Sequence, residues 1–263
     1  MTYCFITWNV SPEMFSIGPV TLRWYGLLFA LSFVIGYIIM QRIFKHENQP
    51  ITLLDELATY MIISTVIGAR LGHVFFYEPE SYLAHPLDIL KIWEGGLASH
   101  GAAVGILIAL YIFARQKHKP YFWALDRVVI VVALAGFFIR TGNLMNSEIF
   151  GKPTDLPWAF IFTRVSDIPR HPTQIYEGLS YLATFFFLLN YYYKKKGSPR
   201  PGDIFGMFLI AIFGMRIIIE FLKEPQVGFE NQLTFNMGQM LSVPFVIVGI
   251  YLILRRTVKT VKP

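Results

Sequence analysis

Seven apolar runs punctuate this chain, each close to the roughly 20 residues that a helix needs to cross a bilayer. They are Val20–Ile43, Leu57–Tyr77, Gly95–Ala114, Val128–Ile139 with a polar continuation, Tyr176–Tyr193, Ile204–Leu222 and Gln239–Leu254. The fourth has the shortest apolar part. The pattern predicts an all-α, polytopic membrane protein of about seven spans, forming a single domain over residues 1–263. It has no internal repeat, no low-complexity tract and no soluble domain. The longest connection, from about Arg140 to Thr173, contains "KPTDLPWAF" and "VSDIPRHPTQIYE". Its prolines and turn residues predict an ordered segment rather than a linker.

Composition agrees with this reading. Hydrophobic residues make up 54% of the 263 and charged residues 15%, against about 25% charged in ordinary soluble domains. The formal charge of +6 does not indicate a nucleic-acid partner, because the basic residues fall in short clusters between apolar runs. The N-terminal stretch "MTYCFITWNVSPEMFSIGP" has neither a basic region nor a small-residue cleavage site, so no cleavable leader is expected. A lone cysteine, Cys4, excludes an intramolecular disulfide or a cysteine-rich metal site and is read as a bystander.

Lys and Arg accumulate on the cytoplasmic side of membrane proteins. With the N-terminus outside, 14 of the 23 fall in inside segments and 6 in outside segments, while Arg23, Arg70 and Arg216 fall within spans. The C-terminus is therefore expected in the cytoplasm, and the segment between spans four and five on the extracytoplasmic side.

The charges inside the apolar runs bring in the chemistry. A charge at the bilayer centre costs at least about 2.5–3.5 kcal/mol and must face a protein interior or a wet cavity. Arg23, Arg70, His73, His100, Arg140, Glu148, Glu177, Arg216 and Glu220 all lie in or beside the runs. Several arginines with a histidine point to an anion site, because a guanidinium matches phosphate in a bidentate way.

In "EGGLASHGAAVG" (94–105), His100 stands about one turn into the third run among Gly101, Ala102, Ala103 and Gly105. Such small residues let a neighbouring helix or a substrate approach the backbone. His100 then either hydrogen-bonds across a helix interface or acts as an acid, base or head-group ligand near neutral pH. In "GMRIIIEFLKEP" (214–225), Arg216 and Glu220 share a helix face at i,i+4. They either neutralise each other for insertion or Glu220 aims Arg216 at an anion, and the two readings are compatible. In "IRTGNLMNSEIFG" (139–151), Arg140 and Asn143 are neighbours on a straight helix, while Glu148 lies roughly 80° round. Convergence of Arg140, Asn143, Asn146 and Glu148 therefore needs a break, for which Gly142 is the expected place; such a break is tolerated only around a cavity. The alternative is an ordinary capped helix end. In "LRWYGL" (22–27), Trp24 suits an aromatic belt, whereas the Tyr25 hydroxyl can reach a site. In "RHPTQIYEG" (170–178), Pro172 restricts His171 to an extended backbone and a helix starts near Thr173.

These five stretches, in this order and spacing, resemble the bacterial prolipoprotein diacylglyceryl transferases over nearly the whole chain. Arg140 to Gly151 carries the most specific piece, the family's Gly-Arg-x-Gly-Asn followed by Asn-x-Glu-x-x-Gly. This chain departs from the pattern at Ile139, Ala102, Lys223 and Gln226. The first three mostly exchange small or like-charged residues, while Gln226 removes an acid. The resemblance implies a multi-pass enzyme of the bacterial cytoplasmic (inner) membrane with its active site on the extracytoplasmic side. Such an enzyme moves the diacylglyceryl group of phosphatidylglycerol onto the lipobox cysteine of prolipoprotein signal peptides, forming a thioether and releasing glycerol phosphate. It implies functional roles for Tyr25, His100, Arg140, Asn143, Asn146, Glu148, Gly151, Arg216 and Glu220. It calls for no metal and no cofactor.

The residues accommodate that chemistry. Arg140 and Arg216 suit a phosphodiester leaving group. A thiol of ordinary pKa about 8.5 needs either a base, for which His100 is the candidate, or the arginine field alone. No two histidines stand i,i+4 as metal ligands would. A transporter of an anionic solute would use similar arginines, but two matching halves with broken helices are missing. A non-catalytic scaffold has no need of so many intramembrane charges.

Overall fold

The computed structural model describes residues 5–18, 20–92, 95–224 and 236–255. Cys4, Gln226, Arg256, Lys259 and Lys262 lie outside the described residues. The structure is mostly helical. Among the described residues, seven helices of 18 residues or more occupy the seven apolar runs: α1 (Trp24–His46), α2 (Ile51–Phe76), α4 (Ser99–Gln116), α5 (Tyr121–Met145), α6 (Thr173–Lys194), α7 (Asp203–Glu220) and α8 (Met237–Leu254). A short α3 (Pro79–Ala84) and a 3-10 turn (Pro86–Leu90) lie between α2 and α4. By length and composition, α1, α2, α5 and α8 are long and apolar enough to cross a membrane. Ile63 and Ile67 on α2, Ile247 on α8 and Val34 on α1 point outward, as lipid-facing positions do.

Some expectations are corrected. The fold is not wholly helical, because among the described residues the segments outside the apolar runs, together with the first four residues of the first run, form five short strands. Chain without a helix's internal ladder must pair its backbone groups elsewhere. β1 (Ile6–Trp8) runs parallel to β4 (Phe160–Phe162), which pairs antiparallel with β5 (Pro169–Arg170). β2 (Glu13–Ile17) and β3 (Val20–Arg23) form an antiparallel hairpin. The first apolar run therefore becomes helical only at Trp24. Arg23 sits on β3 opposite Glu13, exposed and 3.6 Å from its carboxylate, rather than within a span. Under the expected orientation Arg23 would join the outside residues, and the expected Lys/Arg split would become 14 to 7.

The chain forms two compact units, residues 40–125 and residues 1–39 with 126–263. In the first, α2 and α4 meet backbone to backbone. A Cβ on Gly101 would come 2.6 Å from Gly72 Cα, and one on Gly105 would come 2.6 Å from Ser64 O. The small residues expected to admit a neighbouring helix do so, and here only glycine fits. Ile43, Phe44, Leu54, Leu57, Leu110 and Phe113 form the buried core of this unit.

In the second unit, Leu144, Phe160 and Phe162 form a buried cluster with Trp8, Phe150 and Ile175 against it. The Trp8 indole donates to Leu144 O (3.0 Å), tying the N-terminal strand to the end of α5. At the far end of α5, the Asp126 carboxylate accepts from the Gly202 and Phe205 amides (2.8 and 2.9 Å) and so satisfies the first turn of α7. α7 and α8 approach through Gly206 and Gly249, where a Cβ on Gly249 would meet Gly206 O at 2.7 Å.

Candidate functional site

The polar end of α5 is where the sequence reading and the structure differ most usefully. The helix does not break at Gly142 but continues to Met145. Gly142 instead makes room for Tyr25, whose ring would lie 2.7 Å from an added Cβ. Convergence is achieved one turn later. Ser147 (φ 55°) and Ile149 (φ 57°) are both left-handed, which turns the chain back sharply. The Glu148 amide donates to Asn143 O (3.1 Å), and its carboxylate returns to the helix face it has just left. There it accepts from Asn143 Nδ2 (2.8 Å) and Asn146 Nδ2 (3.2 Å). Asn143 Oδ1 in turn accepts from Arg140 Nη1 (3.1 Å). Arg140, Asn143, Asn146 and Glu148 are thus one hydrogen-bonded chain. Asn146 Oδ1 is a buried acceptor with no donor among the described residues. Tyr25 lies within electrostatic reach of both Glu148 and Arg140.

The turn is held from below by α6. Gln174 Nε2 donates to Glu148 O (2.7 Å), and Thr173 Oγ1 donates to Ile149 O (2.9 Å). Gly151 then passes between two other backbones. Its amide donates to His171 O (2.8 Å), and it bridges to Lys223. An added Cβ would lie 2.5 Å from Leu222 O and 2.7 Å from His171 Cβ. A close approach of backbone to backbone therefore requires glycine here. His171 lies just before α6, and partial burial holds its imidazole pKa below the usual value.

Two residues that the sequence reading gave no site role anchor the constellation. Glu177, on α6, is fully buried. One of its oxygens stands 2.8 Å from Arg140 Nε, and the other 2.8 Å from Lys223 Nζ. Lys223 is itself buried and reaches Glu220 Oε2 at 3.2 Å. Glu220 stands 4.0 Å from Arg216 Nε across one helical turn. It is lodged against Gly238, where a Cβ would come 2.6 Å from its carboxyl carbon, and its main-chain oxygen accepts from Asn236 Nδ2 (3.2 Å). A single buried network thus joins Arg140 to Arg216 through Glu177, Lys223 and Glu220. The signal for Glu177 and Lys223 was present in the sequence, since buried ions require partners. Their pairing across α6 and the end of α7 was not.

The two arginines differ in availability. Arg140 is nearly buried, with its Nε and one Nη committed to Glu177 and Asn143. Arg216 is about a third exposed and only loosely held by Glu220. A cleft of about 170 Å³ between α5 and α6 is walled by Phe137, Leu144, Ile175 and Leu179, with Arg140 at its edge. Thr141 and Gln174 also line it, but the surface shown to the cleft is almost wholly apolar, as an acyl chain requires.

His100 belongs to the other compact unit. It is the second residue of α4, exposed, not a full turn inside an apolar helix as expected. The chain from Gly95 to Ala98 is irregular rather than helical, and Gly95 and Gly96 take positive φ (95° and 70°). The His100 ring packs edge-on to Phe76 (5.3 Å) and tilted to Tyr77 (5.8 Å). Arg70 is also reassigned. It is bound to its own neighbourhood, donating to the carbonyls of Asp88, Ile89, Gly95 and Gly96. His73 stacks on Tyr77 and stands 3.5 Å from Glu78.

The sequence is similar to those of known proteins. Residues 12–255 match the family described as Prolipoprotein diacylglyceryl transferase. Proteins named phosphatidylglycerol–prolipoprotein diacylglyceryl transferase are similar along almost their whole length. That of Tolumonas auensis is 51% identical over 94% of this chain and 96% of its own. That of Chloroherpeton thalassium is 49% identical over 96% and 94%. That of Porphyromonas gingivalis is 45% identical over 95% and 94%.

Proposed function

This chain belongs to the prolipoprotein diacylglyceryl transferase family, and from that premise we propose that it transfers the diacylglyceryl group of phosphatidylglycerol to the lipobox cysteine of prolipoproteins, the first step of lipoprotein maturation. The cysteine thiolate attacks the glycerol carbon that carries the phosphate. A carbon–sulfur thioether forms as the carbon–oxygen bond to phosphate breaks. Glycerol phosphate departs with the bonding pair, and the thiol proton passes to a base or to solvent.

The observation that carries this reading is the buried network joining Arg140 to Arg216. A leaving phosphate gains negative charge in the transition state, and fixed cations aimed at it lower the barrier without reorganising. Arg216, the looser and more open of the two, takes the phosphate as a bidentate fork. Arg140, already held on two sides, supplies fixed positive field from beneath. The unpartnered Asn146 Oδ1 suits a glycerol hydroxyl, and the apolar cleft beside Arg140 suits the start of an acyl chain. Tyr25, Asn143, Glu148, Gly151 and Glu220 shape and orient this site. His100 either removes the thiol proton or binds the head group, and in the second case the arginine field activates the thiol.

The chain acts as one membrane-enzyme domain of seven spans in the bacterial cytoplasmic membrane. Its N-terminus and the 140–173 segment face outward, and its C-terminus faces the cytoplasm. The test is incubation of purified protein with labelled phosphatidylglycerol and a lipobox peptide, followed by thin-layer separation. Lipid on the peptide together with released glycerol phosphate is the expected result. Anion uptake into vesicles with neither product would replace the enzyme by a transporter.

A further inference from the structure

We propose that Pro79–Ile92 is a strap that lies in the membrane–water interface, with its fold held by Arg70. The proposal rests on reading α2 as a membrane span. α2 ends in Phe75, Phe76 and Tyr77, all largely exposed. Aromatic residues collect at the head-group level of a bilayer, and 26 helical residues span about 39 Å, enough to bring this end to the surface. No helix long enough to span a bilayer follows directly. The chain forms α3 and the 3-10 turn, with Leu83, Leu87 and Leu90 exposed at 82%, 77% and 70%. Leu83 on α3, and Leu87 and Leu90 on the 3-10 turn, thus leave three large apolar side chains exposed in the segment that directly follows the aromatic end of α2.

Irregular backbone can approach lipid only where its polar groups are satisfied. Here they are satisfied in two ways. Successive short turns bond Tyr82 to Glu78, His85 to Ser81, Asp88 to His85 and Lys91 to Asp88. The carbonyls left at the end of the turn are gathered by Arg70, which is 4% exposed. Its Nε donates to Ile89 O (2.9 Å), Nη2 to Asp88 O (2.5 Å), and Nη1 to Gly95 O (2.7 Å) and Gly96 O (3.3 Å). Its guanidinium carbon lies 4.9 Å from the centre of the Tyr82 ring. The cation is thus spent on the strap's inner side while the leucines point away. The polar groups Asp88 and Lys91 pair with each other at 2.6 Å, which lowers the charge the strap brings to the interface.

The experiment places single nitroxide labels at Glu80, Leu83, Leu87 and Leu90, and at Ile63 on α2, in a Cys4→Ser background. The chains sit in nanodiscs of phosphatidylethanolamine and phosphatidylglycerol, and accessibility to oxygen is compared with accessibility to a water-soluble nickel chelate. The expected result is oxygen-rich, chelate-poor behaviour at the three leucines, at a depth of roughly 5–10 Å below the head groups. Glu80 should be open to chelate and Ile63 deeper still. Leucines as open to chelate as Glu80 would overturn the strap. So would leucines closed to both reagents, which would mean that a second copy or another protein surface covers them. Chelate access at Ile63 would overturn the spanning reading of α2, and the strap with it. Arg70→Gln should move the leucine labels toward water; unchanged depth in that folded variant would overturn the role given to Arg70.

Discussion

Glu177 places one carboxylate oxygen 2.8 Å from Arg140 Nε and the other 2.8 Å from Lys223 Nζ, with no part of the side chain open to solvent. A carboxylate shared between two cations at this depth fixes both. Removing it leaves two buried positive charges facing each other. Glu177→Gln should therefore destabilise the protein by about 3–5 kcal/mol, the usual cost of breaking a buried pair, and abolish most transfer. Adding Lys223→Met to Glu177→Gln removes one of the stranded charges and should recover part of the loss in thermal unfolding in detergent. A double variant no more stable than the single one would mean that the two ion pairs are not coupled.

Arg140→Lys and Arg216→Lys keep charge but lose the planar fork. Each lost charge-assisted hydrogen bond is worth about 1.5–3 kcal/mol, so turnover should fall roughly tenfold or more in both. Arg164, exposed and outside the network, is the matched control, and Arg164→Lys should transfer lipid normally. Near-normal rates in the first two variants would show that only net positive charge matters.

Gly151→Ala introduces a methyl group where Leu222 O and His171 Cβ already stand within 2.5 and 2.7 Å. The backbones must separate, at about 1–3 kcal/mol for an overpacked site. Because the same backbones position Thr173 and Lys223, activity should fall further than stability. Equal, small effects on both would show that the approach at Gly151 can relax.

His100→Asn should leave the fold intact, because the ring is exposed and its ring contacts are with Phe76 and Tyr77 near the end of α2. If His100 is the base, single-turnover transfer slows by about 10²–10⁴-fold. Raising the pH toward 10 then rescues it in part, since the thiol ionises unaided. Lost phosphatidylglycerol binding with an unchanged pH profile would make it a head-group ligand.

His171 titrates below its ordinary value because folding strips water from the ring. The native state therefore binds its proton less readily than the unfolded chain. Stability is fully present above the ordinary histidine pKa of about 6.5 and declines as pH falls through that value toward the lowered one. The fall in Tm between pH 7.5 and 5.5 should be smaller in His171→Gln than in the unaltered chain. An identical pH dependence would assign the acid sensitivity to other groups.

The seven long helices stand where the apolar runs predicted them, and Arg140, Asn143, Asn146 and Glu148 come together as their stretch of sequence suggested. Both are local properties: a helix is nucleated by the residues within it, and four polar groups inside ten residues have few places to go. The means of convergence was not legible. Gly142 invited a break, yet the helix continues and the turn is made at Ser147 and Ile149. Neither residue type favours positive φ, and neighbouring α6 holds the turn through Gln174 and Thr173. The partners of the long charged side chains were equally hidden. In the sequence, Arg23, Arg70, Arg140 and Arg216 are the same residue in similar apolar settings. In the structure, one pairs with Glu13 on a hairpin, one gathers loop carbonyls, one is locked by Glu177, and one stays loosely held by Glu220. A buried cation must find an acceptor, so its presence is readable along the chain. Which acceptor it finds depends on elements far apart in sequence, and only their packing decides it.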